Sequence, residues 1–64
     1  MKNHLDVLQL LKRFGIFIYT GDRKVDIELM LNEVKDLYDN GLIMKEDYLL
    51  ATLILRQELS NTKK

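Results

Sequence analysis

The sequence predicts an all-α protein, a three-helix bundle with helices at about residues 4–14, 23–40 and 45–59 and an extended connector at 16–20. Three observations support this prediction. Apolar residues recur at helical spacing in three segments. Each segment is bounded by capping or glycine-containing turn residues, and proline is absent, so no helix is interrupted. The 64 residues, 47% hydrophobic and 31% charged, are expected to form one small helical domain over 1–64.

The first predicted helix follows Asn3, which can cap it, with Asp6 three residues later as the partner of a capping box. Gly15 is the natural left-handed stop after the last turn. The apolar positions at helical spacing are Leu5, Val7, Leu8, Leu10 and Leu11.

The segment from Ile16 to Tyr19 is β-branched and aromatic, which favours an extended chain. No other segment offers a partner strand, and an isolated strand would leave its backbone groups unpaired. We therefore expect a connector that inserts Phe17 or its neighbours into the core, with pairing to a second copy of the chain as the alternative.

The second and third predicted helices are joined by about four residues, so we expect them to lie antiparallel. Thr20 or Asp22 can cap the second helix, and Asn40 with Gly41 ends it. Its apolar stripe comprises Ile27, Met30, Leu31, Val34, Leu37 and Tyr38. The third helix is apolar over most of its circumference, which requires burial on more than one side.

The composition excludes several classes of function. Without cysteine the chain has no disulfide framework and no thiolate metal site, as is usual in a reducing compartment. No run of residues approaches the roughly 18 apolar residues that a membrane span needs, and the charged N-terminal residues argue against a signal peptide. We expect a cytoplasmic protein that does not associate with membranes.

Catalysis is not expected, and neither is a cofactor. His4 and Ser60, the single histidine and serine, lie near opposite ends of the chain, and no cysteine nucleophile exists. A Ser-His-acid site would need both ends to meet beside an oxyanion hole.

Two pairs of acids at helical spacing could in principle hold a hard cation. They are Asp22 with Asp26 and Asp36 with Asp39, and neither spacing matches a calcium-binding loop. Helix capping by Asp22 and solvation of the others explain them better, so no metal site is predicted.

Charge is unevenly distributed although the formal net charge is zero. Residues 1–24 carry a charge of +3, residues 25–50 carry −5 and residues 51–64 carry +2. Such a pattern is typical of a polyanion-binding face, but it also arises when charges complement helix dipoles.

The segment 12–24 combines cations with aromatic residues, as single-strand nucleic-acid binders do. Phe14 and Phe17 belong to the same segment, but a place in the core explains both better, and for Tyr19 the alternative is a half-buried anchor. Free N–H groups after Gly21 suit a single backbone phosphate. The predicted nucleic-acid-binding residues are Lys12, Arg13, Tyr19, Arg23 and Lys24.

Residues 14–23, with the string Tyr-Thr-Gly-Asp-Arg at 19–23, resemble the signature segment of the YqgQ-like family of small bacterial proteins. The match continues at 26–30, 37–38, 41–43, 51 and 53–58. The resemblance implies a small helical bundle in the cytoplasm and a role in binding single-stranded RNA or DNA.

Segment 37–48 is similar, more loosely, to the short C-terminal helical hairpins of many bacterial proteins. Those hairpins usually carry Ser or Thr where Met44 stands, with an acid three residues later that corresponds to Asp47.

The alternative function is an oligomerisation or protein-interaction module. A chain of 64 residues is near the lower limit for independent folding, and the third helix has more apolar surface than two partner helices can cover. The predicted surface for self-association comprises Leu49, Leu50, Leu53 and Ile54.

Overall fold

A computed structural model of the chain describes residues 2–61 and confirms the three-helix, all-α fold, with no strand in that range. Each helix begins at the predicted residue, and the first two end one residue earlier than predicted. The third ends at Asn61, two residues later than predicted, while 62–64 lie outside the described residues. The helices are α1 (His4–Arg13), α2 (Arg23–Asp39) and α3 (Lys45–Asn61).

The predicted capping box at the start of α1 is confirmed. The Asn3 side chain accepts hydrogen bonds from the backbone N–H groups of Leu5 and Asp6 at 3.0 and 3.2 Å. The Asp6 carboxylate in turn accepts from the backbone N–H groups of Lys2 and Asn3 at 2.6 and 3.3 Å. These backbone hydrogen bonds hold the pKa of Asp6 below its ordinary value, because they favour the charged form.

The other helix boundaries follow the same local rules. Asp22 caps α2 by accepting from the backbone N–H groups of Lys24 and Val25. Gly15 and Gly41 follow α1 and α2 with φ of 75° and 72°, the left-handed conformation that glycine adopts without strain. At both ends two backbone N–H groups reach back to the last turn, which is the hydrogen-bond pattern of a Schellman motif.

Contacts at both ends of the bundle establish how the helices run. Arg23, which begins α2, forms an ion pair with Glu58 near the end of α3. At the opposite end the rings of Tyr38 and Tyr48 stack, with centroids 4.4 Å apart and planes 9° from parallel. α2 and α3 are therefore antiparallel, as predicted. The Nδ1 atom of His4 lies 3.5 Å from the Glu58 carboxylate, so α1 is also antiparallel to α3.

This arrangement makes α1 and α2 parallel and explains the extended connector. The chain must return along the length of α1, which at 10 residues is about 15 Å. The connector 16–20 spans about 16–18 Å when extended, which matches that distance.

The connector was predicted to insert Phe17 or its neighbours into the core, and the neighbours enter it while Phe17 does not. Ile16 and Ile18 pack against the core, whereas Phe17 and Tyr19 are 75% and 88% exposed. Successive side chains of an extended chain point to opposite sides, so the two isoleucines and the two aromatic residues occupy opposite faces. Phe14, the C-cap of α1, is 39% exposed and does not belong to the buried core either.

The core is formed by one stripe from each helix and by the turn between α2 and α3. Its buried residues are Val7, Leu11, Ile27, Met30, Val34, Leu37, Ile43, Ala51, Ile54 and Leu55. Leu5, predicted in the α1 stripe, is 57% exposed because that stripe centres on Val7 and Leu11.

The predicted exposed apolar surface of α3 is confirmed at three positions and is wrong at one. Leu49, Leu50 and Leu53 are 53%, 44% and 55% exposed. Ile54, which was expected on the same surface, is buried. Among residues 2–61, no helix combines the length and apolar character that crossing a membrane requires.

Candidate functional site

The extended connector and the exposed side of α1 form a shallow groove, here called the connector groove. Its lining comprises Leu8, Lys12, Ile16, Phe17, Ile18 and Tyr19. Leu8 and Lys12 share one face of α1 because they are four residues apart. The groove therefore has an apolar floor, one ammonium group and two exposed aromatic side chains.

A second groove continues from the first towards the start of α2 and is called the Arg23 groove. Leu8, Ile18 and Tyr19 line both grooves. The Arg23 groove adds His4, Gly21, Arg23, Asp26, Ile27 and Met30. Tyr19 thus lies between a lysine on one side and an arginine on the other.

The structure brings together three of the five predicted binding residues. Lys12, Tyr19 and Arg23 line the two adjoining grooves. Arg13 lies elsewhere, in a depression that it shares with Asp6 and Asp47 among others, because neighbouring helical residues are about 100° apart around the axis. Lys24 is exposed and lies outside both grooves.

The two cations of the grooves differ in their surroundings. Arg23 donates a hydrogen bond to Oε1 of Glu58, so an internal carboxylate already offsets its charge. Within residues 2–61 the ammonium group of Lys12 makes no ion pair. Lys12 is therefore the cation of the two that an incoming anion can approach without competition.

Asp22 and Asp26, the two acids just before α2 and in its first turn, accept hydrogen bonds from the protein itself. Asp22 caps α2. Asp26 accepts hydrogen bonds from the backbone N–H and the hydroxyl of Thr20 at 2.7 and 2.6 Å, which fixes the end of the connector to α2. Within residues 2–61, no group of three His, Cys, Asp or Glu side chains is arranged to hold a metal ion.

Residues 1–61 match the model of the YqgQ-like family. The chain belongs to the YqgQ-like family. It is 51% identical over 63 residues to a relative from Bacillus subtilis (strain 168), "Uncharacterized protein YqgQ", a match that covers 98% of this chain and 89% of the relative. The family resemblance of segment 14–23 is thereby confirmed, and that YqgQ-like segment supplies Phe17, Tyr19 and Arg23 to the two grooves.

Sequence reasoning missed two features of the site. The exposure of Phe17 could have been found from the strict alternation of isoleucine with aromatic residues along 16–19, which is typical of a half-buried extended segment. The contact of Glu58 with Arg23 and His4 left a weaker signal in the sequence. Glu58 is an acid in the last turn of a helix, where the dipole favours cations, so its position suggests a partner from elsewhere in the chain.

Proposed function

We propose that this YqgQ-like protein is a cytoplasmic, non-catalytic protein that binds single-stranded nucleic acid weakly through the connector and Arg23 grooves. The observation that carries the proposal is the exposure of Phe17 and Tyr19, at 75% and 88%, on a segment flanked by cations. Two aromatic rings that the core does not need are suited to stacking with unpaired bases, whose π-faces any sequence offers.

The spacing of the two rings supports this function. Phe17 and Tyr19 are two residues apart on an extended chain, so their Cα atoms are separated by about 6.6 Å on one face. The floor beneath them is held by Ile16 and Ile18, which pack against the core. The platform is thus fixed to the bundle while its rings remain open to solvent.

The charges predict weak, salt-sensitive binding. Both Lys12 and Arg23 line the grooves, but within residues 2–61 Lys12 makes no ion pair whereas Arg23 is paired with Glu58, so about one phosphate can be neutralised. For single strands this gives a slope of log K against log salt of about −0.7. Raising salt from about 50 to 200 mM should then weaken binding by about 2.6-fold.

Fluorescence anisotropy of a labelled single-stranded oligonucleotide, titrated with protein at low and physiological salt, tests the proposal. We expect a saturable rise, and we expect Tyr19→Ala to weaken binding by roughly 5- to 150-fold, the equivalent of about 1–3 kcal/mol of stacking. Tyr19→Phe keeps the ring face and should bind like the wild type.

Charge variants complete the test. Lys12→Gln should weaken binding, whereas Lys45→Gln, which makes the same charge change at the start of α3, should not. Tyr19 is almost fully exposed, so the circular dichroism and melting curves of its variants should match the wild type. A flat titration at low salt and high protein concentration would overturn the proposal, and so would wild-type affinity in Tyr19→Ala.

The exposed apolar face of α3 favours a second candidate function, self-association. Leu53 is four residues from Leu49 and three from Leu50, so the three leucines lie on one side of the helix. Burying these leucines against a second copy would add apolar contact that a 64-residue chain largely lacks within itself.

Sedimentation equilibrium tests self-association directly. The wild type should exceed the 7.6 kDa monomer mass, and Leu50→Gln with Leu53→Gln should restore the monomer without affecting oligonucleotide binding. Because Ile54 is buried, changing it would test folding instead. A monomeric wild type at high concentration would refute this candidate.

A further inference from the structure

Glu58, near the end of α3, contacts residues at the starts of both α1 and α2. Arg23 at the start of α2 donates a hydrogen bond to its Oε1 atom, and Nδ1 of His4 at the start of α1 lies 3.5 Å from the same atom. The Glu58 side chain is only 22% exposed, compared with 55% for Arg23. A single carboxylate oxygen therefore lies between a guanidinium group and an imidazole ring, which attracts anions when it is protonated.

The position of Glu58 is unfavourable for its own helix. It lies in the last turn of α3, where the helix dipole disfavours negative charge, and within the described residues 58–61 no basic residue offsets it. The compensating groups come from the other two helices. Conflicts between local preference and tertiary contact are expected at functional sites.

We propose that Arg23 and His4 form a phosphate subsite and that Glu58 is an internal anion that occupies it until a nucleic-acid phosphate displaces it. This inference rests on the proposed nucleic-acid function and assigns a regulating residue to the same site. A guanidinium group hydrogen-bonds carboxylate and phosphate with the same donors, so one can replace the other. Tyr19 lines the groove that contains both His4 and Arg23, so a nucleotide stacked on Tyr19 has its backbone beside the subsite.

Glu58→Gln tests the displacement. Glutamine keeps the length of the side chain and an acceptor oxygen but removes the charge, which weakens its hold on Arg23. We expect oligonucleotide affinity at low salt to rise on the order of threefold to tenfold through one freed charge-assisted contact. The slope of log K against log salt should steepen by about 0.7, the value for one additional phosphate.

Two further variants isolate the subsite. Adding Arg23→Gln to Glu58→Gln should abolish the gain in affinity and in slope. Glu46→Gln, the same charge change in the first turn of α3, should leave the slope at the wild-type value. If the wild type binds and Glu58→Gln binds no better than Glu46→Gln, the displacement is refuted while the proposed function stands.

A titration of inorganic phosphate separates this inference from the proposed function. In ¹H–¹⁵N NMR spectra of Glu58→Gln, phosphate should shift the signals of His4 and Arg23 at concentrations that leave the wild type unchanged. If phosphate shifts these signals but no oligonucleotide binds to any variant, the subsite stands and the nucleic-acid function is wrong. Equal phosphate responses in the two proteins would overturn the subsite.

Discussion

Met44 occupies the N-cap position of α3 without a side chain that can cap. Its carbonyl accepts the first helical hydrogen bond, from the Tyr48 N–H at 3.0 Å, and α3 begins at the next residue. Asn3 and Asp22 cap the other two helices with side-chain oxygens. The hydroxyl that Met44→Thr introduces should therefore contribute to stability by satisfying a backbone donor of the first turn of α3.

The size of the effect follows from the exposure of Met44. A capping hydroxyl is worth about 0.5–2 kcal/mol, typically about 1. Met44 is 68% exposed, so about a third of the roughly 1.5–3 kcal/mol for full burial of methionine is lost on replacement. The two contributions nearly cancel in a comparison with the wild type, so the informative comparison is with Met44→Ala, which loses the same contacts and gains no cap.

Thermal unfolding followed by circular dichroism measures the difference. We expect Met44→Thr to melt about 4–8 °C above Met44→Ala for a typical cap of about 1 kcal/mol in a domain of this size. Equal melting temperatures would show that the hydroxyl finds no donor. A lower temperature for Met44→Thr would refute the assignment of residue 44 as the N-cap.

Three further predictions concern stability and are measured by urea unfolding. Asp6→Asn should destabilise the protein at neutral pH. Because the folded-state pKa of Asp6 is lowered, its contribution to the free energy of unfolding is present above the unfolded pKa of about 3.9 and is lost as pH falls through the folded pKa. The difference in stability between Asp6→Asn and the wild type should therefore disappear in acid, and a difference that persists there would contradict this reasoning. Leu55→Ala, at a fully buried position, should lower the free energy of unfolding by about 2–5 kcal/mol, which is as much as the whole stability of a small domain. Leu53→Ala, at a position 55% exposed, should lower it by under about 1 kcal/mol. Similar losses for the two variants would show that the buried face of α3 is assigned wrongly. Gly15→Ala should cost about 1–2 kcal/mol because φ there is +75°, although no atom lies within 4 Å to obstruct a methyl group; no change would mean that the helix end has another conformation.

Local sequence signals predicted the helices well because their causes act over a few residues. The box of Asn3 with Asp6, the cap at Asp22 and the glycine after each of the first two helices all involve groups within about five positions. The same applies to the antiparallel pairing of α2 and α3, since a short turn leaves the chain little choice. The resemblance of segment 14–23 to the YqgQ-like family could likewise be recognised in the sequence alone.

The site was predictable only in part because it depends on which faces of the elements meet. Lys12 and Arg13 are neighbours with the same charge, yet only Lys12 joins Tyr19 in the connector groove. Hydrophobicity alone did not decide whether Phe17 or its neighbours enter the core, whereas the return of the chain along α1 directs Ile16 and Ile18 inwards and leaves Phe17 outside. Hydrophobicity ranks residues for burial but does not decide between neighbours that face opposite ways.

By itself the sequence determined the fold class, the positions of the three helices and the family, because hydrophobic spacing and caps act along the chain. Tertiary structure alone decided the parallel course of α1 and α2, the exposure of Phe17 and the contact of Glu58 with Arg23 and His4. Arg23 and Glu58 are 35 residues apart, and no local pattern links them. Their meeting depends on how three apolar stripes pack into one core, and packing is a property of the whole chain.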